Sequence, residues 1–320
     1  MAYPASGATI RGDLNAVVEQ AAQADGYFVG LKVAPLFPVP VRSGSYPVID
    51  YAGGQLLAAV AKERSRGSSY GEVVRKWTSG TYDCVDVGAE EAIDDIDARD
   101  LARYFDVEAS VARWVRRNVQ LELERQIGAA ALDTNTWTNG NGAVAYSDAN
   151  LATIDFPRDV LTAIEACRSK GSSPNTIVMN SIIYRRVRLA SKTQTWVSGQ
   201  VQRGAVVTAT SIAQSFADEG IEQVLVGRAF YNDAQYPSVS MKPCWGYAGI
   251  WVGYVNLNAR SLQDGGAMFT LVWAEEGGNF VTESYRDEAR RSEIVRVRIN
   301  RAVKVVDPTA GYIINTQVTS

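Results

Sequence analysis

The chain contains no histidine in 320 residues. That single absence removes the Ser-His-Asp and Cys-His constellations, the usual proton shuttle near neutral pH, and the commonest metal ligand. Cysteine is scarce as well: Cys84, Cys167 and Cys244 stand far apart, with no CxxC or CxH spacing. Zinc sites draw their ligands from close sequence pairs, so none is expected. An odd count without a framework reads as buried, reduced thiols. Lysine is sparse too, 7 of the 32 basic residues, the other 25 being arginine. Guanidinium forks suit bidentate, partly desolvated pairing across interfaces, which leans toward assembly. Long apolar runs are missing: the stretch from Gly249 to Val255 falls far short of the roughly 20 residues of a membrane span. The N-terminus shows neither the basic nor the apolar region of a signal peptide. These readings predict a soluble intracellular protein. A net charge of −3 and a pI near 5.3 argue against a dedicated nucleic-acid binder.

What is present is an ordinary globular composition, 46% hydrophobic and 21% charged, enough to build a core. The length suggests two domains, or one body with a long excursion. A helix is expected from Asp13 to Ala24. Pro35, Pro38 and Pro40 then enforce an extended arm whose Leu36, Phe37, Val39 and Val41 seek a surface. Tyr46 to Tyr51 reads as a strand, Gly53-Gly54 as a turn, the charged stretch from Lys62 to Ser69 as an exposed loop, and Tyr82 to Val87 as the returning strand. A hairpin-like excursion of that length is uncommon inside a compact domain, and connections that long are usually functional or disordered.

From Ala98 to Leu132 no proline occurs, and no glycine before Gly128. Val111, Val115, Val119, Leu123 and Ile127 repeat every fourth residue, and Phe105, Val107 and Trp114 widen the stripe. The spacing predicts one strut helix of about 50 Å with Asp97 as N-cap. A turn-rich loop with two Asn-Gly pairs follows. Residues 153–275 alternate helical and strand patterns: helices at Asp159–Ser169, Ser181–Ala190 and Ser211–Glu219, and strands at Thr176–Met179, Ile221–Val226, Gly249–Val255 and Met268–Trp273. This is an α/β unit. Ser292 to Val306 closes the chain as a long strand, with Val295, Val297, Ile299, Val303 and Val305 facing a core. Arg296, Arg298, Asn300 and Lys304 face water or a partner.

Candidate chemistry is thin. Asp94, Asp95, Asp97 and Asp100, with Glu90 and Glu91 upstream, could form a metal or acid–base site. They read better as complement to a helix macrodipole facing a neighbour's cations. Glu275-Glu276 reads as a strand end. No GxxxxGK[ST] loop, GxGxxG helix start or SxxK motif is present. Arg185, Arg186 and Arg188 share a helix that reads as a solvated face, or one reaching DNA.

The order of these parts resembles the major capsid protein of tailed bacteriophages, with the Hong Kong 97-type shell fold. The residues that carry the likeness run from Phe28 to Val41 with Ser43 to Val48, then Lys62 to Gly67, Val87 to Asp94 and Leu121 to Arg125. Val224 to Asn232 and Trp245-Gly246 complete them. The resemblance implies an α+β fold with an N-terminal arm (1–45) and an extended β-hairpin, the E-loop (46–92). It further implies a peripheral domain on the spine helix (93–152), an axial α/β domain (153–275), and a return to the peripheral domain with the closing strand (276–320). It implies a structural protein without enzymatic activity or cofactor, assembling with itself into pentamers and hexamers of an icosahedral virion head. That head would form in the host cytoplasm and enclose double-stranded DNA without specific binding. No membrane is involved, and scaffold, portal and decoration proteins are the further partners it admits.

With nothing of their own to bury against, the arm and hairpin are expected to pack on neighbouring subunits. Phe37, Val39 and Val41 would make apolar contact, and Arg64 and Arg66 would meet a neighbour's Glu90, Glu91, Asp94 or Asp95. Lys62 has no matching Asn or catalytic carboxylate, so the covalent cross-linking of some relatives is not carried over. Any scaffold segment is expected to be a separate protein or already cleaved. Without histidine, an acid trigger for maturation would have to act through shifted carboxylates. Two rivals stay open: an encapsulin-type compartment, and a carboxylate-dependent hydrolase using Glu275 or the Asp94–Asp100 group.

Overall fold

The structure is a computed structural model that describes residues 9–14, 26–49, 61, 63–72, 77–103, 106–200, 206–235, 237–273 and 279–318. Most of the helix expected from Asp13 to Ala24, the Gly53-Gly54 turn, Lys62, Phe105 and Glu275-Glu276 lie outside the described residues.

In chain order the N-terminal half holds β1 (Thr9–Ile10), β2 (Leu36–Pro38), β3 (Ser43–Ile49), β4 (Trp77–Asp83) and β5 (Val85–Asp94). Helices α1 (Asp95–Leu101) and α2 (Val107–Ala131), strand β6 (Thr138–Asn141) and helix α3 (Phe156–Arg168) follow. Next come β7 (Thr176–Asn180), α4 (Ser181–Leu189), α5 (Ser191–Gln200), α6 (Ala209–Ser215), β8 (Gln223–Gly227), β9 (Phe230–Asn232) and β10 (Met241–Pro243). The chain finishes with β11 (Gly249–Gly253), β12 (Met268–Val272), β13 (Val281–Asp287), β14 (Ser292–Val305) and β15 (Gly311–Asn315).

The predicted strut is two helices rather than one. Asp106 interrupts it by capping: its carboxylate accepts from the Ala109 N–H, so α2 restarts there. Such side chains compete with the helix's own ladder for backbone donors. Asp94, not Asp97, caps α1 through the Ile96 N–H. The 25 residues of α2 span about 37 Å. Val115, Val119, Leu123 and Ile127 are buried as the ladder predicts, whereas Trp114 is 62% exposed on the opposite side of the helix.

Strand β14 organises a six-stranded sheet. Along one edge it pairs antiparallel with β5, from Ser292 opposite Asp94 to Arg301 opposite Val85. Along the other it pairs with β13 and then β12. Val295, Val297 and Ile299 are buried, the latter two in one core with α2. The other face is less wet than expected: Arg296 and Arg298 are half-buried because Glu90 and Glu283 on the flanking strands neutralise them. Arg301 falls on the packed face and is buried.

A second, five-stranded sheet runs β6-β15-β11-β7-β8, with α3 to α6 contributing to its apolar core around Phe156, Ile164, Met179, Ile212 and Phe216. The parallel β7–β8 pair is joined through α4, α5 and α6, the crossover that parallel strands require. Two assignments by chain segment are corrected here. Strand β12, expected in the α/β unit, belongs to the β14 sheet, and β15, which lies in the 276–320 segment expected to return to the peripheral domain, joins the five-stranded sheet between β6 and β11. Strand patterns reveal which face is buried but not which sheet receives the strand.

Candidate inter-subunit surfaces

The arm does not lack a partner within its own chain. Strand β2 pairs parallel with β12, Leu36 opposite Thr270 and Phe37 opposite Leu271. The Thr270 N–H donates to the Pro35 carbonyl, and the Val39 N–H to the Val272 carbonyl. Phe37 packs edge-on against Phe269 with ring centroids 5.7 Å apart. Val39 is buried beside Tyr46, Tyr82, Cys84, Leu271 and Val306. The expectation that these residues have nothing of their own to bury against is therefore corrected. Prolines remove donors, but the remaining carbonyls and amides of the arm still fit a sheet edge. Val41, 52% exposed, is the apolar residue of the three left open.

Further back, the arm is fastened by a residue that the motif reading passed over. Glu124 is 2% exposed, and its carboxylate accepts three N–H donors: Val29 at 3.0 Å, Gly30 at 2.6 Å and the Trp245 indole at 2.6 Å. Burial pushes its pKa up against the pull of those three bonds. A Cβ on Gly30 would sit 2.6 Å from the Glu124 Oε2, so a larger residue there would have to push the carboxylate off its donors. One carboxylate thus ties the arm to α2 and to the loop entering β11. Its sequence signal was its position directly after Leu123, on the side of the stripe shared by Gly128.

The hairpin β3–β4 pairs Ser43–Ile49 with Trp77–Asp83, and no other described strand joins either edge. Its base is anchored by Tyr46, whose hydroxyl donates to the Val305 carbonyl, and by Tyr82, whose hydroxyl donates to the Val41 carbonyl. Beyond it residues 63–70 are all exposed, and a turn forms at Ser65–Ser68 with Gly67 at φ +88°. Arg64 and Arg66 lie there. The Arg64 guanidinium is 5.5 Å from the exposed Tyr70 ring, and neither arginine pairs with a described carboxylate.

The acidic group proposed to receive them is divided by its own chain. Glu90 accepts from Arg296 at 2.8 and 3.0 Å, with the Tyr285 hydroxyl at 3.3 Å. Asp95 accepts a bidentate fork from Arg286 at 2.5 and 2.8 Å, which holds its carboxyl below the usual range. Asp94 is occupied as a cap. Glu91, Asp97 and Asp100 are exposed and carry no ion pair with a described residue. Of the expected contact residues, Val41, Arg64, Arg66 and Glu91 are the uncommitted ones.

Arg185 and Arg186 share one carboxylate, Asp148, at 3.6 and 3.2 Å, while Arg188 is exposed on the same helix. All three cysteines are free and buried; burial drives the thiol of Cys167 to about 11 and that of Cys244 to about 12. Arg301, missed because the sequence reading skipped its parity, donates to the Gln126 Oε1 at 2.7 Å. Burial pulls its guanidinium down to about 10.

No protein-family model matches this sequence, and no curated protein does so either. Solved structures do match, over nearly the whole chain. A phage-related protein from Bordetella bronchiseptica RB50 superposes with a TM-score of 0.72 at 21% identity, covering 96% of this chain and 97% of its own. The putative capsid protein of an Escherichia coli CFT073 prophage superposes at 0.56 and 11% identity, covering 96% and 99%. A virus-like particle from Pyrococcus furiosus gives 0.56 and 10%, covering 95% and 98%. The arm held on a sheet edge, the projecting hairpin, the helix across a long-stranded sheet and the α/β unit together are the Hong Kong 97-type fold of phage capsid proteins.

Proposed function

We propose that this chain is a structural shell protein that assembles with itself into the pentamers and hexamers of an icosahedral phage head around double-stranded DNA. The observation that carries the reading is the hairpin. Among the described residues it is a two-stranded ribbon with no further strand on either edge, and residues 63–70 beyond it are all exposed; such a ribbon is marginal in water by itself. It gains a reason to be ordered when a neighbour covers it. In this reading the arm and hairpin are the parts that reach other subunits, the β14 sheet with α2 is the peripheral domain, and the five-stranded sheet is the axial domain. Such a protein needs no catalytic centre and is located in the virion, assembling in the host cytoplasm. Scaffold, portal and decoration proteins are its natural partners.

Arg64 and Arg66 meet the acidic stretch from Glu90 to Asp100 of the next subunit, where Glu91, Asp97 and Asp100 stand ready. Each exposed pair is worth only about 0–1 kcal/mol, so the effect comes from repetition over the shell. The test is charge reversal, Arg64→Glu with Arg66→Glu, followed by electron microscopy and sizing. Loss of particles, with capsomers or monomers accumulating, is expected. Shells of unchanged yield and thermal stability would sink the pairing.

An encapsulin-type compartment is the second reading. One structural neighbour is the holo-SrpI encapsulin complex from Synechococcus elongatus, at a TM-score of 0.51 and 10% identity. Protein cargo rather than nucleic acid inside purified particles would favour it. A carboxylate-dependent hydrolase has weaker support, since Asp94 and Asp95 are already committed to a cap and to Arg286.

A further inference from the structure

We propose that the outer edge of β5 takes up β4 of a second copy of this chain as an antiparallel strand, so that the projecting hairpin joins the neighbour's six-stranded sheet through main-chain hydrogen bonds. The proposal rests on the shell reading, which supplies the second copy, and it names the backbone surface on which the hairpin lands. Edge strands are templates for pairing, and proteins keep them short or break them. The other edge strands of the two large sheets follow that rule: β1 has 2 residues, β2 has 3, β6 has 4 and β8 has 5. Strand β5 has 10, without proline or lysine, and it pairs with β14 along one edge. Nothing among the described residues pairs with its other edge.

Parity tells which amides stand open. In an antiparallel ladder alternate residues turn their N–H and C=O groups to the same neighbour. The Asp95 N–H donates to the Arg291 carbonyl just beyond the last β5–β14 pair, so the odd-numbered residues of β5 serve β14. The backbone of Asp86, Gly88, Glu90 and Ala92, all four exposed, therefore faces outward. On the hairpin, the Cys84 N–H donates to the Arg42 carbonyl, so the even-numbered residues of β4 serve β3. Trp77, Ser79, Thr81 and Asp83 then form the outer edge of β4. The outer edge of β3 is Ser43, Ser45, Pro47 and Ile49, and Pro47 has no N–H to offer. The hairpin is blunted on one side and open on the other.

Charge selects the partner and its direction. Strand β5 carries Asp86, Glu90, Glu91 and Asp94 and no cation, so two β5 edges repel each other. Strand β4 carries only Asp83. Laid antiparallel, β4 runs its Trp77 end toward Asp94, and the tip with Arg64 and Arg66 reaches past it toward Asp97 and Asp100, which are exposed. Laid parallel, the tip would point away from those carboxylates. Asp83 opposite Asp86 would set like charges face to face. In the next register Asp83 meets Gly88, Thr81 meets Glu90, Ser79 meets Ala92 and Trp77 meets Asp94. Each such pair exchanges main-chain bonds both ways, and the hairpin gains the further strands that a free ribbon lacks. Backbone bonds supply the attachment, as in other cases of strand addition, and the charges set its direction.

The experiment introduces Ser79→Cys with Ala92→Cys, both exposed positions, and oxidises the assembled full-length protein with copper–phenanthroline. Facing residues of such a pair stand about 5.5 Å apart at Cα, within reach of a disulfide. The native Cys84, Cys167 and Cys244 are buried and do not compete. A ladder of covalent multimers on non-reducing gels is expected. Neither single variant should give it, nor should Ser79→Cys with Asp86→Cys, which is out of register. In parallel, Ala92→Pro removes an outward N–H and no bond to β14. It should lower particle yield about tenfold while the urea midpoint of the unassembled chain stays unchanged. Particles that form without the cross-link overturn the proposal, and so does full particle yield from Ala92→Pro. Should Ala92→Pro fail to fold, the cysteine pair alone decides. Absence of particles from the unsubstituted protein refutes the shell reading instead. The ladder is then sought in the oligomers present, where its appearance upholds the strand pairing and its absence overturns it.

Discussion

Replacing Glu124 by Gln isolates the contest between burial and hydrogen bonding at the seam joining arm, helix and loop. The carboxylate accepts on both oxygens, Oε1 from Val29 and Trp245 and Oε2 from Gly30. A glutamine keeps the shape but can offer an acceptor at only one of those positions. Whichever way the amide turns, at least one buried N–H then faces an NH2 group. Leaving a buried donor unsatisfied costs about 1–3 kcal/mol. Part of that is offset because the neutral amide escapes the desolvation that the charge suffers.

The pH dependence reveals which effect dominates. Burial raises the Glu124 pKa in the folded state. Its contribution is therefore full below the unfolded value and declines as pH rises through the folded value. Of the other titratable groups, Glu122 and Arg125 neighbour it on α2, and the Cys244 thiol feels its charge from the strand side. Glu122 is engaged by Arg125 and held below its usual range, so its shift runs opposite to that of Glu124. Urea unfolding of wild type and Glu124→Gln from pH 4.5 to 8 should show the variant's deficit largest at the acidic end and shrinking toward neutrality. Exchange of the Val29 and Gly30 amides should be faster in the variant throughout. A deficit that grows with pH would refute the reasoning, since it would mean that the three N–H bonds outcompete burial and lower the pKa.

On the same helix, Leu123→Ala should cost about 2–5 kcal/mol in chemical denaturation, whereas Trp114→Ala should stay within about 0.5 kcal/mol. Similar losses for the two would mean that the helix is rotated from its described position. Arg301→Met should leave stability unchanged or raise it by about 1–4 kcal/mol, because it removes a buried cation that, among the described residues, has one side-chain bond, to Gln126, and only the nearby Glu122 charge to offset its desolvation. A large destabilisation would show that the guanidinium has compensation beyond that bond. A thiol reagent should find no reactive cysteine in the native protein and all three after unfolding, since Cys84, Cys167 and Cys244 are buried. Rapid native labelling at any of them would contradict the packing of its element.

Much of this was legible because periodicity carries burial. The fourfold ladder marked the core side of α2, and alternation marked β14 nearly to the residue. What failed to show was pairing at long range. Nothing local tells Met268–Val272 to join β14 rather than the α/β sheet, or Leu36–Pro38 to lie beside it. Those choices are made by hydrogen-bonding edges distant in sequence. The acidic stretch was read as a unit, yet Arg286 and Arg296 divide it from strands two hundred positions away in the chain. Caps were misplaced for the same kind of reason: four aspartates near one helix start are equivalent in sequence until the backbone selects Asp94. Glu124 was passed over because one position beyond Leu123 it looks like any other charge interleaved with the stripe, and only the distant Val29, Gly30 and Trp245 donors make it a buried acid.

The claim that this chain builds a closed shell is tested most directly by the mass of what the purified full-length protein forms. Sizing chromatography with light scattering, followed by electron microscopy of the leading fraction, should give pentamers and hexamers together with megadalton icosahedral particles. A single small species, monomer to tetramer, that persists across concentration, salt and pH would contradict the account.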